Sequence, residues 1–387
     1  MKLAIVSTHP IQYYAPVFKL LHGRGNIRIK VFYTWGEDSQ KSYDPGFNKA
    51  VKWDISLLDG YPYEWVNNTA KYPGSHNFKG VVNPELPQQI EAYQPDAILI
   101  YGWAYSGHLK VLRYFKNTLP VYFRGDSTLL NEQKGIKNLL KTIFLKWVYS
   151  HVDHAFYVGT NNKAYFKRYG LKGDQLSFAP HAIDNARFQT DQSQQAQTLR
   201  KSLNINVDDI LILYAGKFEP VKNVKTLVAA FANIKQPKVH LLLVGNGIDE
   251  ADLVTYAKAH NMERLHFLNF VNQSEIPSVY QAADLFCLPS ISESWGLAVN
   301  EAMACSKAIL VSNKVGCAAD LVIPGKNGDT FEAGNVADLT QKLSTLLDKE
   351  KSGLVQMGER SSQIIQLWDF NAQVKAIETT LLNERNK

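Results

Sequence analysis

The sequence predicts two α/β domains, each a parallel sheet with helices on its faces. Short apolar runs alternate with helical patterns through most of the chain, the signature of such sheets. At 387 residues the chain is too long for one ordinary domain, and two of roughly 180 residues are the natural division. A polar, weakly patterned stretch over 185–200, containing Asp191-Gln192-Ser193-Gln194-Gln195, precedes a fresh apolar run at Ile210-Leu211-Ile212-Leu213-Tyr214. The boundary is therefore expected near 185–205, with domains at 1–190 and 191–370.

Strands are expected at 2–6, 28–33, 97–101, 120–123 and 154–158 in the first half, and at 210–215, 239–244, 284–288 and 308–311 in the second. Helical patterns occupy 106–116, 222–234, 249–260 and 275–282. Ligands of such sheets bind beyond the carboxyl ends of the strands, at the loop-to-helix junctions.

With 45% apolar and 20% charged residues the chain can bury a substantial core, which excludes disorder and fibrous repeats. Cys287, Cys305 and Cys317 lack metal-type spacing, and their odd number argues against a disulfide framework, as expected of a cytoplasmic protein. The opening Met1-Lys2-Leu3-Ala4-Ile5-Val6-Ser7 reads as a strand rather than a signal peptide, and no window reaches the roughly 18 apolar residues of a membrane span. A charge of +6 permits contact with anionic lipid or phosphate, but no dense basic stripe points to nucleic acid.

The most informative segment is Pro289-Ser290-Ile291-Ser292-Glu293-Ser294-Trp295-Gly296-Leu297-Ala298-Val299-Asn300-Glu301-Ala302-Met303-Ala304. Turn-forming residues hand over to helix formers near Leu297. Glu293 then sits on a loop at a helix mouth and Glu301 about one turn inside. Backbone N–H groups at such a mouth favour an anion. An anion beside two carboxylates that accept hydrogen bonds from hydroxyls describes a sugar nucleotide.

A second segment, Tyr214-Ala215-Gly216-Lys217-Phe218-Glu219-Pro220-Val221-Lys222-Asn223, ends a strand at Gly216 and starts a helix that Asn223 is expected to cap. Lys217 and Lys222 flank the loop, where both could reach one diphosphate and neutralise the charge on a departing nucleoside diphosphate. Leu242-Leu243-Val244-Gly245-Asn246-Gly247 is a strand followed by a glycine turn. In the first half, His9 and Gln12 follow the first strand and could meet donor or acceptor, or serve structurally. Arg124 and Asp126 follow the strand Val121-Tyr122-Phe123. Arg124 stays protonated and cannot act as a base; it either binds an acceptor phosphate, with Asp126 orienting it, or forms a structural pair with Asp126.

Over 132–150, Lys134, Lys137 and Lys141 share one helical face and Ile136, Leu140, Ile143 and Trp147 another. One reading is a core-facing helix with a wet basic edge. The other is an element resting on anionic lipid, which would bring the site to a lipid-linked acceptor.

These motifs resemble the retaining GT-B glycosyltransferases of family 4 over most of the chain, most strongly from 210 to 330. The resemblance rests on Glu293 and Glu301 in a Glu-x7-Glu element, the following Ala302-Met303-Ala304, the Val-Gly-x-Gly at Val244–Gly247, and Pro180-His181-Ala182-Ile183-Asp184 ahead of the second domain. Ser306 stands where glycine is usual, Ala308 for proline, Trp295 for phenylalanine and Lys217 for arginine. Cys317 and Asp320 replace a glycine and a glutamate, and Arg124 stands where many relatives carry a histidine.

The resemblance implies two Rossmann-like domains facing each other across a cleft, with the last helix, about 371–387, packing back on the first. It implies transfer of a hexose-type sugar from a nucleoside-diphosphate sugar to an acceptor hydroxyl with retention, in cell-surface polysaccharide or glycolipid synthesis, without cofactor or metal. Lys217 and Lys222 would hold the diphosphate, assisted by Gly216 and by backbone N–H groups around Trp295, Gly296 and Leu297. Glu293 would hold hexose hydroxyls and Glu301 the ribose. Gly245, Asn246 and Val271 would border the nucleotide. The acceptor would be a saccharide or lipid-linked, and the protein cytoplasmic, with possible contact at the inner face of the membrane. A sugar-nucleotide epimerase, a phosphorylase or a non-catalytic sugar-binding module would share the architecture.

Overall fold

The computed structural model describes residues 1–41, 43–44, 49–50, 52–132 and 135–385, so Lys134 lies outside the described residues. Contacts divide the chain into two compact units. One comprises Met1–Ser42, Ser56–His181 and Phe370–Lys387; the other comprises Tyr43–Ile55 and Ala182–Asp369. The division falls at His181, just ahead of the polar stretch. Ile183 and Asp369 pair as a parallel bridge, so the long segment of the second unit begins and ends side by side.

In the first unit the strands are β1 (Lys2–Ser7), β2 (Arg28–Tyr33), β5 (Tyr63–Trp65), β6 (Ala97–Tyr101), β7 (Val121–Arg124), β8 (His154–Tyr157) and β9 (Leu176–Phe178). They form a parallel sheet in the order β5-β2-β1-β6-β7-β8-β9. The short antiparallel pair β3 (Tyr43–Asp44) and β4 (Lys49–Ala50) belongs to the second unit. In the second unit β10 (Ile210–Ala215), β11 (Val239–Val244), β12 (Leu265–Leu268), β13 (Leu285–Leu288), β14 (Ala308–Ser312) and β15 (Gly328–Phe331) are ordered β12-β11-β10-β13-β14-β15, again parallel. Both sheets are those of the GT-B architecture.

The strand sequences explain the arrangement. Ile210-Leu211-Ile212-Leu213-Tyr214-Ala215 is buried throughout, as a strand covered on both faces must be. The strand order reverses between β1 and β6 in one unit and between β10 and β13 in the other. At such switch points the loops leaving neighbouring strands diverge to opposite faces and open a crevice.

The final helix, Phe370–Arg385, belongs to the first unit and lies against the helix Ala15–Gly23. Val374, Ile377 and Leu381 recur at helical spacing and share a core with Phe18 and Leu21. Arg24 reaches Glu378 at 3.2 Å at its edge.

Two expectations are corrected. Asn223 precedes the helix Val224–Phe231 but takes a left-handed conformation (φ +53°), and its side chain makes no capping bond; its carbonyl instead accepts from Thr226 N. In the helix Ile136–Tyr149, Thr142, Leu145, Val148 and Tyr149 face the core. Ile136, Leu140, Ile143 and Trp147, core-facing in one of the two readings, point outward at 40% to 76% exposure. The helix has two apolar stripes, and the sheet takes the other one.

Candidate active site

The loops beyond the carboxyl ends of β10–β14 are tied to one another by backbone bonds. Phe218 N donates to Asn246 O at 2.9 Å, joining the loop after β10 to the turn after β11. Gly245 N donates to Leu268 O, and Phe270 N to Asn246 Oδ1, both at 2.9 Å, bringing in the end of β12. Across the switch point, Ile291 N donates to Val221 O at 2.9 Å. The loops carrying Lys222 and Glu293 therefore hold each other.

The Glu293 loop is also fastened on its far side. Glu293 N donates to Lys314 O at 3.1 Å, Gly316 N returns a bond to Glu293 O at 3.0 Å, and Cys317 N donates to Trp295 O at 2.9 Å. This is a short parallel bridge that extends the β13–β14 pairing past the strands. It needs Gly316, because a Cβ there would lie 1.8 Å from Ser294 O.

Within this frame Lys222 Nζ forms an ion pair with Glu293 Oε2. Ser290 Oγ donates to the same carboxylate oxygen at 3.4 Å. Glu301 lies in the helix Leu297–Ala304, is buried, and accepts from the buried Tyr280 hydroxyl at 2.7 Å. Tyr280, missed in the sequence, fixes that carboxylate. Gly296 adopts φ +98° just before the helix, so first-turn amides that have no acceptor within a helix begin where the Glu293 loop ends. The arrangement combines a cation, two carboxylates and a helix mouth at one switch point.

The remaining expected residues sort by what their atoms already do. Gly216 follows β10, and Lys217 is partly exposed, its carbonyl accepting from Tyr214 Oη at 2.7 Å. Burial, then the charge of Glu293, raises the Tyr214 hydroxyl far above its usual range, so it stays a donor. Gly245 is required by close approach, since a Cβ would fall 2.0 Å from Gly216 O. Asn246 spends its amide on Glu250 at 3.1 Å and Asn269 at 2.9 Å, which makes it a brace between loops. Val271 is partly buried beyond β12. The Trp295 ring is buried on Trp368 (centroids 5.2 Å apart) and donates to Asn300 Oδ1 at 3.0 Å, leaving only its backbone for a ligand. Ser306 has φ +58°, the conformation glycine would take without strain.

In the first unit, His9 and Gln12 follow β1 at the switch point and are partly buried. His9 Nδ1 lies 2.9 Å from Thr8 Oγ1, and its ring meets Trp35 edge-on. Arg124 is 2% exposed, and its guanidinium donates to Ala179 O at 2.9 Å and Pro180 O at 3.0 Å. These bonds clamp the 179–180 segment and commit two of the guanidinium nitrogens to main-chain carbonyls. Asp126, beyond the strand, is partly exposed. Tyr14 stacks near Tyr101 and His181, and burial followed by Asp126 raises its hydroxyl pKa.

Residues 195–363 match the family described as Glycosyl transferases group 1. The chain is 29% identical over 222 residues to the N,N'-diacetylbacillosaminyl-diphospho-undecaprenol alpha-1,3-N-acetylgalactosaminyltransferase of Campylobacter jejuni, covering 56% of this chain and 57% of that protein. It is 26% identical over 221 residues to the D-inositol 3-phosphate glycosyltransferase 2 of Catenulispora acidiphila, 54% of this chain and 50% of that one. The matched regions thus span about half the length of these relatives. Among solved structures, HepE of Anabaena in complex with UDP superposes with a TM-score of 0.74 at 20% identity, over 99% of this chain and all of that one.

Proposed function

We propose that the protein is a retaining glycosyltransferase of family 4 that moves a hexose-type sugar from a nucleoside-diphosphate sugar to an acceptor hydroxyl. The observation that carries this reading is the Lys222–Glu293 pair, held at the switch point by the Ile291–Val221 backbone bond. Lys222, with Lys217 and the amides at the start of the 297–304 helix, would meet the diphosphate. Glu293 would then turn to the sugar hydroxyls and Glu301 to the ribose. The bond from the anomeric carbon to the diphosphate oxygen breaks, and the acceptor oxygen bonds to that carbon on the same face. The acceptor proton passes to the departing phosphate, whose charge the lysines offset without a metal or cofactor.

A uridine donor is supported by the UDP held by HepE. A lipid-linked saccharide acceptor is supported by the diphospho-undecaprenol in the name of the Campylobacter relative, and work on polysaccharide or glycolipid at the cytoplasmic face of the membrane is the remainder of the proposal. Thermal shift against UDP-, GDP- and ADP-sugars tests the donor, since a ligand of the folded state raises its melting temperature. Slow hydrolysis of the stabilising donor is the expected companion result. Binding without turnover on any acceptor would leave a sugar-binding module instead.

A further inference from the structure

The helix Ile136–Tyr149 presents an apolar ridge that the described residues of its own unit leave largely exposed, with Trp103 at the edge of Phe144. Ile136, Leu139, Leu140, Ile143, Phe144 and Trp147 are exposed. At about 3.6 residues per turn they lie on the side opposite Leu145, Val148 and Tyr149, which enter the core. We propose that this ridge docks the protein on an anionic lipid membrane, entering the interface with the helix parallel to the bilayer plane.

Charge selects the occupant. The helix carries no acidic residue, and its lysines border the ridge on both sides, Lys137 and Lys141 on one and Lys146 on the other. Arg113 of the neighbouring helix lies over the Trp147 ring at 5.5 Å, adding a cation at the rim. Lys141 also bonds Glu132 at 3.2 Å, so its pull on lipid is shared with that acid. Lysines at the border can lay their stems along the ridge and lift their ammonium groups to phosphate headgroups, while Leu, Phe and Trp sink into the acyl boundary. A second copy is the weaker occupant. It would bring like charges face to face, and a ridge about 16 Å long on one helix falls well short of the roughly 800 Å² per partner of a stable dimer.

Docking of this kind would carry a transferase to a lipid-linked acceptor, and its purpose rests on the function proposed above. Vesicle binding is measured without sugar donor, so the two readings fail separately. The full-length protein should co-sediment with vesicles rich in phosphatidylglycerol, bind phosphatidylcholine vesicles at least tenfold more weakly, and release as salt screens its lysines. Leu140→Ser with Ile143→Ser should abolish binding while leaving the melting temperature and donor hydrolysis unchanged, because these side chains are 64% and 60% exposed. Lys137→Gln with Lys141→Gln should weaken binding about fivefold per lysine. Wild-type protein that ignores anionic vesicles at low salt, or self-associates through this ridge instead, overturns the proposal. So does a serine variant that folds and still binds.

Discussion

Lys222 Nζ and Glu293 Oε2 form an ion pair although they lie 71 residues apart and on opposite sides of the strand-order reversal. The cation expected to meet the diphosphate and the carboxylate expected to meet the sugar thus satisfy each other. On the proposed function, donor binding exchanges this pair for two contacts with the donor. The loops need not travel, because Val221 and Ile291 are already bonded.

Lys222→Ala should lower kcat on the order of 100-fold, as expected for removing a donor aimed at growing charge. Glu293→Gln should lower it as well. Because the two groups touch, the double variant should lose less than the product of the single losses. Steady-state rates at saturating donor decide the matter, and strictly multiplicative losses would show that the residues act independently.

Glu301→Gln keeps an acceptor for the Tyr280 hydroxyl, so the fold should be preserved. Affinity for the free nucleoside diphosphate should drop roughly tenfold while kcat changes little, the pattern of uniform binding. Glu301→Ala strands the buried hydroxyl and should in addition cost about 1–3 kcal/mol of stability. Wild-type nucleotide affinity in the glutamine variant, measured by calorimetry, would remove Glu301 from the ribose.

Gly316→Ala tests whether the bridge at Glu293–Val315 sets catalytic geometry. The added methyl would meet Ser294 O at 1.8 Å and Ser294 C at 2.7 Å, backbone atoms that cannot swing aside. Segment 314–317 must shift and carry Glu293 with it, at a cost of roughly 1–3 kcal/mol. Denaturant unfolding and initial rates should fall together. Lower stability with an unchanged rate would show that Glu293 finds its place without the bridge.

Acid should destabilise the first unit through His108. This histidine is fully buried; its Nδ1–H donates to Gly102 O at 2.8 Å, and Nε2 faces Thr34 Oγ1 at 2.8 Å. Burial lowers its pKa from 6.5 to about 4. Between those values the unfolded chain binds more protons than the folded one, so stability is fully present above pH 6.5 and declines as pH falls toward 4. The loss reaches roughly 3 kcal/mol. His266, lowered to about 4 by burial and then by His240, acts in the same direction in the other unit. Urea midpoints from pH 4.5 to 7 should slope less steeply for His108→Gln, and an unaltered slope would clear His108.

The loop positions of Glu293 and Lys222 and the helical place of Glu301 were legible because loop-to-helix junctions show in the local sequence. What could not be read depends on distant partners. Arg124 is committed to carbonyls at 179 and 180, 55 and 56 residues onward, and Glu301 to a tyrosine 21 residues back. Asn223 has the residue type of a cap, but its positive φ turns the side chain away from that role. In the 136–149 helix the period was clear, yet Leu145, Val148 and Tyr149 form as apolar a stripe as Ile136, Leu140, Ile143 and Trp147. Periodicity cannot choose between two such stripes; packing does.

The bridge between Ile183 and Asp369 has one more consequence. It makes residues 182–369, the long segment of the second unit, a cassette whose two ends are neighbours, with a complete six-stranded sheet threaded between; Tyr43–Ile55 is the unit's other segment. Segments whose ends meet are those most readily excised, permuted or transplanted. A gene fragment for this stretch is therefore a candidate for an independently folding module, and its solubility and cooperative unfolding would show whether it stands alone.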